Sequence, residues 1–214
     1  MSEQIEMLAT WFRSGGPIMW VLLLFLACAA AVAIERVIFL FFMCPRDTSD
    51  LVSKLKTAFG SGKSDEAVKI LNGKTTPTHV LLGVAVESFN AGDTAAEIQE
   101  DVEEAAISQI HRFSVRLNYL SLFANVATLV GLLGTITGLM TSFSALANVD
   151  PSQKAAMLAA GISEAMITTA FGLIIAVPCM VSYTIFSNRQ SVLVKDLDES
   201  TVRLLNFMKK KAEK

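Results

Sequence analysis

The sequence predicts an all-α integral membrane protein with three transmembrane helices and long cytoplasmic helical extensions. Of its 214 residues, 52% are hydrophobic and only 18% are charged, which is a low charge content for a soluble domain. Three segments contain no Asp, Glu, Lys or Arg: those between Arg13 and Glu35, between Arg116 and Asp150, and between Glu164 and Arg189. Because a bilayer core of about 30 Å needs roughly 20 apolar helical residues, each segment is long enough to cross it.

Composition and residue types also exclude several functions. The net charge is −2 and no basic patch with interleaved aromatic residues occurs, so we expect no nucleic-acid partner. Cys28, Cys44 and Cys179 lie in or beside apolar stretches without metal-ligand or disulfide spacing, and we interpret them as small buried hydrophobic residues. His79 and His111 have no accompanying nucleophile and are predicted at the surface or an interface. We therefore expect no enzyme activity, metal or cofactor.

The distribution of basic residues predicts the orientation. Eight Lys and Arg residues lie between the first and second spans and seven follow the third, whereas the other side carries only Arg13 and Lys154. Since cytoplasmic loops carry the excess of positive charge, the N-terminus is predicted to be periplasmic and the C-terminus cytoplasmic. The first span is preceded by Glu3 and Glu6 rather than by a basic region, so we expect it to be retained.

These observations divide the chain into seven segments. An amphipathic periplasmic segment covers residues 1–16, with Phe12 on its apolar face. The spans cover residues 17–43, 117–147 and 155–187. A cytoplasmic helical domain covers 44–116, a short periplasmic loop covers 148–154, and a cytoplasmic C-terminal helix covers 188–214.

Local signals predict where the cytoplasmic helices begin and end. One helix ends at Gly60, the next begins at Ser64, and a third opens at Pro77. The inward face of the third is predicted to carry Val80, Leu81, Val84 and Phe89. The pair Thr94-x-x-Glu97 fits a capping box and predicts one unbroken helix from there to about residue 147. Asp150-Pro151 fits an N-cap with Pro at the first helical position, opening a helix that runs past Arg189.

The second span has one face made only of small residues. At 100° per residue, this face contains Ser121, Ala124, Thr128, Gly131, Thr135, Gly138, Ser142 and Ala145. Close helix packing explains the glycines, and Gly134-x-x-x-Gly138 alone suggests it. Packing explains less well why the hydroxyls of Thr128, Thr135 and Ser142 recur every seven residues. Both a packing face and a functional hydroxyl line therefore remain open.

The third span carries a second small stripe and an acidic residue. The stripe contains Ala165, Thr168, Thr169, Gly172, Ala176 and Cys179. Pro178 is predicted to kink the helix. The acidic residue is Glu164. Either it faces a cavity or a partner, as an ionisable residue within a span does, or it lies solvated at the outer interface. Counting from the span ends places Glu164 near the level of Thr135.

Near the inner end of the first span, Glu35 and Arg36 are interpreted as structural, either as an ion pair or as snorkelling side chains.

Two sequence motifs carry a family resemblance. Gly131-Leu-Leu-Gly-Thr-Ile-Thr-Gly138 and Gly161-Ile-Ser-Glu-Ala-Met-Ile-Thr-Thr-Ala-x-Gly172-Leu resemble the paired signatures of the ExbB/TolQ/MotA proton-channel family. The three-span layout resembles the ExbB and TolQ branch over the whole chain. Thr135 and Thr169 match the pore threonines of that family, and Glu164 matches its third-helix glutamate. Because Glu164 and Thr169 lie about 140° apart around a helix, they cannot both face one line.

The resemblance implies a function and partners. It implies a ring-shaped homo-oligomer, a pentamer, in the inner membrane, whose pore holds the single span of an ExbD- or TolR-like protein. It also implies a TonB- or TolA-like protein, with protons as the only species moved. The expected function is to couple proton-motive force to active uptake across the outer membrane. A TolQ-type subunit of the Tol-Pal envelope system is the alternative. Two alternative functions belong to other classes of protein. A small solute transporter usually has inverted repeats, which this sequence lacks. A structural scaffold would need neither Glu164 nor the hydroxyl line.

Overall fold

The computed structural model describes residues 12, 15–44, 48–60, 64–71, 73, 76–148 and 150–212, and all regular structure in these ranges is helical. Most of the predicted amphipathic segment 1–16 lies outside the described residues, as do the basic residues Arg46, Lys63 and Lys74. The chain divides into two units. The first contains Met1–Glu35 and Arg116–Thr184, and the second contains Arg36–Val115 and Ile185–Lys214.

The first apolar segment forms helix α1, Ile18–Val37, which continues as a π-helical turn, Ile38–Met43. Its apolar residues lie on all sides, as expected of a helix in lipid rather than on a protein surface. At its end the Arg189 guanidinium donates to the carbonyl oxygens of Leu40 and Cys44, both at 3.2 Å. Arg189 thereby satisfies carbonyl groups that the last turn of a helix leaves without an intrahelical partner.

Four helices follow in the second unit: α2, Ser49–Gly60; α3, Ser64–Leu71; α4, Pro77–Ala91; and α5, Ala95–Ser114. Each packs against the next. The predicted start signals are confirmed at Ser64 and Pro77, and the predicted end is confirmed at Gly60. The capping box is also confirmed, because Glu97 accepts from the Thr94 amide at 2.8 Å while the Thr94 hydroxyl accepts from the Glu97 amide.

The predicted inward face of α4 is partly wrong. Leu81 is buried as predicted, but Val80, Val84 and Phe89 are only half-buried. The buried positions are instead Pro77, His79, Leu81, Leu82, Ala85, Val86 and Ser88. His79 is therefore not a surface residue, because its Nδ1 lies 2.6 Å from the Thr76 hydroxyl and its side chain is covered. The face shifts because α4 packs against α3 on one side and α5 on the other.

The unbroken helix predicted from Thr94 to residue 147 is wrong. Helix α5 ends at Ser114, and α6, Leu117–Ala145, begins after a break in which Val115 is extended and Arg116 is left-handed, with φ of 66°. No Gly or Pro marks this position, so local sequence offers no breaker. A left-handed non-Gly residue costs about 1–3 kcal/mol. The Arg116–Glu35 ion pair at 3.5 Å, which depends on tertiary structure, lies at this break.

A short 3₁₀ turn, Leu146–Asn148, leads toward α7, Pro151–Ala212, which starts where Asp150-Pro151 predicted. Pro178 lies inside α7 and the helix continues on both sides of it.

Within the described residues, three helical stretches are long and apolar enough to cross a membrane: Ile18–Met43, Ala95–Ala145 and Pro151–Lys210. This agrees with the predicted all-α class and three spans. In the first unit the three helices share a core of Met19, Leu22, Ala29, Ala124, Ala127, Phe171, Ile175, Ala176 and Cys179. Cys44 is also buried, whereas Cys28 is exposed, so its predicted burial is wrong for the isolated chain.

Candidate functional site

Helices α6 and α7 approach each other backbone to backbone through their glycines. A Cβ atom on Gly131 would lie 3.2 Å from the Thr168 carbonyl oxygen and 3.3 Å from the Cα of Gly172. A Cβ on Gly172 would lie 2.6 Å from the Ala127 carbonyl oxygen. A methyl group at Gly172 would overlap the backbone of α6, and one at Gly131 would press against the backbone of α7. The glycines therefore allow the two helices to pack closely.

The contact continues along the small face toward the connection between α6 and α7. Gly134 faces the buried Thr168 side chain, and Gly138 faces Ala165. Ser142 is buried and donates to the Gly138 carbonyl at 2.8 Å, beside Gly161. Six predicted pore-lining or packing residues therefore lie in the interface between α6 and α7: Gly131, Gly134, Gly138, Ser142, Thr168 and Gly172.

The hydroxyls of Thr135 and Thr169 meet across this interface. Their Oγ1 atoms lie 2.8 Å apart. The Thr169 hydroxyl is also 3.0 Å from the Gly131 carbonyl oxygen, and the Thr135 hydroxyl is 2.8 Å from the Leu132 carbonyl oxygen. Both side chains are half-buried. We call these two side chains the threonine pair.

The threonine pair has more acceptors than protons. Each hydroxyl has one proton and two lone pairs, whereas four oxygens can accept those two protons: the two hydroxyl oxygens and the carbonyl oxygens of Gly131 and Leu132. When Thr169 donates to Gly131 and Thr135 donates to Thr169 or Leu132, lone pairs remain on the hydroxyl oxygens. The pair can therefore accept hydrogen bonds from a water molecule or a protonated carboxyl group.

The other predicted hydroxyls are differently placed. Thr168 is buried and donates to the Ala165 carbonyl at 2.7 Å, so it fills space opposite Gly134. Thr128 is exposed and donates to the Ala124 carbonyl at 3.0 Å. Of the three hydroxyls on the predicted line, Thr128 is exposed, Ser142 is buried, and Thr135 meets another hydroxyl. The line is therefore not uniform.

Glu164 lies against Gly16, which precedes α1. A Cβ on Gly16 would lie 2.5 Å from Glu164 Oε1, and the carboxylate borders a groove of about 490 Å³. The groove is lined by Thr141, Ser142, Ala145, Met157, Ala160, Gly161, Ser163 and Glu164. Since Ala165 faces Gly138, Glu164 lies about one helical turn from the threonine pair. Glu164 and Thr135 therefore lie in the same part of the α6–α7 contact but not on the same helical turn.

The three predicted structural residues have individual roles. Glu35 pairs with Arg116, and the buried Arg36 donates to the Arg112 carbonyl at 3.3 Å and covers the Phe39 ring. Pro178 is exposed on α7.

Sequence reasoning did not single out Gly16, whose only signal is glycine itself. Gly161 was noticed only as the first residue of the third-span motif, and its position beside Ser142 comes from the tertiary structure. Within the described part of the chain, no group of three or more His, Cys, Asp or Glu side chains is placed to hold a metal ion.

A channel class fits this arrangement, in which two candidate spans place paired hydroxyls on one face and a carboxylate nearby. The model of the MotA/TolQ/ExbB proton channel family matches residues 74–199, which is more than half of the chain. The chain belongs to this family, and its curated relatives support the ExbB/TolQ branch. The sequence prediction of the family is thereby confirmed. The protein is thus a multi-pass membrane protein of an energy-transducing family.

Individual relatives carry both branch names. The chain is 28% identical to the biopolymer transport protein ExbB of Pseudomonas putida over 153 residues, covering 68% of this chain and 46% of the relative. It is 39% identical to the Tol-Pal system protein TolQ of Pseudomonas aeruginosa over 83 residues, 39% of this chain and 36% of the relative. It is 37% identical to the ExbB protein of Salmonella typhimurium over 87 residues, 40% of this chain and 35% of the relative. Each match spans less than half of the relative's length.

Proposed function

We propose that this protein is an ExbB-type proton-channel subunit that couples the proton-motive force of the inner membrane to active uptake at the outer membrane. The observation that carries the proposal is the threonine pair. Thr135 and Thr169 come from two different candidate spans, and their hydroxyls lie 2.8 Å apart. A packing interface needs small residues, but it does not need two hydroxyls in contact.

The proposed mechanism follows from the surplus of acceptors at the threonine pair. In its protonated state, a carboxyl group on the partner's span donates a hydrogen bond to a lone pair of Thr135 or Thr169. Once that carboxyl releases its proton to a water molecule, it can only accept hydrogen bonds, so the two hydroxyls must turn from the carbonyl oxygens to donate to it. The two protonation states therefore differ in how well they bind at this site. The membrane potential supplies about 2.3 kcal/mol per charge per 100 mV, which biases the exchange between these states.

Glu164 serves in this mechanism as the second ionisable group of the path. It lies about one turn from the threonine pair and borders a groove lined by hydroxyls of Thr141, Ser142 and Ser163. Hydroxyls can hydrogen-bond to water, so the groove is a suitable place for hydrated protons. The mechanism needs no cofactor and no enzyme activity.

The proposed assembly is a homo-oligomeric ring, a pentamer, around an ExbD- or TolR-like single-span protein, with a TonB- or TolA-like protein as a further partner. Large apolar side chains on α6 and α7 remain exposed in the single chain, among them Leu129, Met140 and Met166. Such residues need lipid or another helix around them. In the proposed orientation the N-terminus is periplasmic and the C-terminus is cytoplasmic, as the basic residues predict.

A TolQ-type role in the Tol-Pal envelope system is the second candidate. Identity to the TolQ relative, 39% over 83 residues, is close to that for the Salmonella ExbB, 37% over 87 residues. These short matches therefore favour neither branch.

Deleting the gene from its own genome tests both candidates. Loss of proton-motive-force-dependent uptake with an intact envelope is expected for the ExbB-type function. Envelope leakage and detergent sensitivity with normal uptake would instead establish the TolQ-type role. If neither process changes, both proposals are wrong, and a structural scaffold or a small solute transporter becomes the better hypothesis. Native mass spectrometry in mild detergent tests the ring, and a protein found only as monomers contradicts it.

A further inference from the structure

A tight turn before the first span packs against the third span. The turn contains Gly15, Gly16 and Pro17, and the Gly16 carbonyl accepts from the Met19 amide at 3.2 Å. Met19 is fully buried. A Cβ on Gly15 would lie 3.4 Å from Thr168 Cγ2. The turn is therefore fixed on the side of α7 that carries Thr168.

Aromatic contacts hold the same turn from its other side. The ring of Phe12 meets Trp20 edge-on with centroids 5.1 Å apart, and it meets Phe171 with centroids 6.4 Å apart. Phe171 lies on α7, two turns after Glu164. Contacts with α7 therefore occur both at the turn, through Gly15, and just before it in the chain, through Phe12.

Gly16 combines two properties that together require glycine. Its φ is +65°, in the left-handed region that L side chains rarely adopt. In addition, a Cβ here would lie 2.5 Å from Glu164 Oε1. Because the Glu164 carboxylate is the far end of a flexible side chain while the turn packs against α7, a side chain at position 16 would displace the carboxylate rather than the turn.

The Glu164 carboxylate is covered by the turn on one side and borders the groove on another. The turn covers it at Gly16, and the groove with Ser142, Gly161 and Thr141 borders it elsewhere. Among the residues that the structure describes, none holds Glu164 by a hydrogen bond or ion pair. Steric contact at Gly16 limits where the carboxylate can lie on that side.

We propose that Gly16 is a positioning residue for Glu164: the glycine turn before the first span determines how far the Glu164 carboxylate extends into the groove. The role of that carboxylate in proton movement rests on the proposed function, but its position does not. The turn therefore links the entry of the first span to the ionisable residue of the third.

Chemical modification of Glu164 tests the position directly. Purified full-length protein in mild detergent is treated with a hydrophobic carbodiimide, and the rate of Glu164 modification is followed by mass spectrometry. Gly16→Ala is expected to push the carboxylate toward the groove and to raise the rate by about two- to tenfold, the range of a single rotamer change. Gly92→Ala is the matched control, because Gly92 has a φ of +89° but no atom within 4 Å of its Cβ position.

A double variant separates contact from backbone strain. Glu164→Asp withdraws the carboxyl by about 1.5 Å, one carbon–carbon bond, and removes the contact with a new Cβ. Adding G16A to E164D should therefore leave the rate of modification at position 164 unchanged, whereas adding it to the wild type raises that rate. Equal rates for G16A and wild type, an equal rise in G92A, or the same rise in the E164D background would each overturn the proposal.

Transport measurements distinguish this proposal from the proposed function. If G16A changes both the modification rate and proton-motive-force-dependent uptake, positioning and function are both supported. If G16A changes the modification rate while uptake stays normal, the positioning role stands and the involvement of Glu164 in transport fails.

Discussion

The hydroxyl oxygens of Thr135 and Thr169 lie 2.8 Å apart, although 34 residues separate them in the chain. Gly131 makes this contact possible, since a Cβ there would lie 3.3 Å from the Thr169 Cα. The packing and hydroxyl interpretations of the small face are therefore not alternatives. Glycines bring the two backbones together, and that approach brings the two threonines within hydrogen-bond distance.

Thr135→Val tests whether the hydroxyl has a function beyond packing. Valine nearly matches threonine in shape, so expression and assembly should be retained. Loss of a hydrogen bond in a dry site costs about 1–3 kcal/mol, which is roughly a tenfold to hundredfold effect on a rate-limiting step. We expect proton-motive-force-dependent uptake to fall by this factor, while Thr135→Ser remains much milder.

Thr137→Val is the matched control for that variant. Thr137 is exposed and donates only to carbonyls of its own helix, Leu133 at 3.0 Å and Gly134 at 3.1 Å. Equal uptake by the Thr135 and Thr137 variants would mean that the threonine pair only packs.

Gly172→Ala tests the close helix contact. The added methyl would meet the Ala127 carbonyl oxygen at 2.6 Å, and this backbone atom cannot turn away. Overpacking of this kind costs about 1–3 kcal/mol, so the thermal midpoint in detergent should fall. Gly83→Ala, at a helix position with nothing within 4 Å, should instead stabilise by about 0.5–1 kcal/mol. Similar shifts for both variants would contradict the packing interpretation.

The start of α5 should depend on pH. The Thr94 amide and hydroxyl donate to Glu97, and these bonds hold the pKa of its carboxyl below the ordinary value. A lowered pKa adds stability above the unfolded value of about 4.3, and this stability is lost as pH falls through the lowered pKa. Hydrogen-exchange protection of the first turn should drop there.

Glu97→Gln removes the titrating group from that turn. Its protection factors should therefore be lower at neutral pH and should not fall further in acid. A wild-type turn whose protection stays constant through the acid range would show that the capping box contributes nothing measurable.

Cysteine labelling tests the predicted orientation. In a variant lacking Cys28, Cys44 and Cys179, a cysteine at Ser61 should resist a membrane-impermeant reagent in intact spheroplasts, since residues 44–116 are predicted to be cytoplasmic. A cysteine at Asp150 should react readily. The reverse pattern would invert the topology.

Much of the fold and part of the site were predictable from local features of the sequence. Charge-free stretches revealed three candidate spans, because the cost of charge in lipid is independent of tertiary detail. The Thr94–Glu97 capping box and the helix starts at Ser64 and Pro77 depend only on neighbouring residues. The paired motifs identified the family because their spacing is itself a sequence property.

The sequence by itself thus determined the helical class, the three spans, the family and which side of α6 is small. Only the tertiary structure decided that Thr135 meets Thr169, that Arg116 breaks the helix, and that Gly16 contacts Glu164. A helical wheel gives each residue an angle around its own axis, but it leaves open which turn of the neighbouring helix lies opposite. That register depends on how far two backbones can approach, and here the glycines at positions 131 and 172 determine that distance.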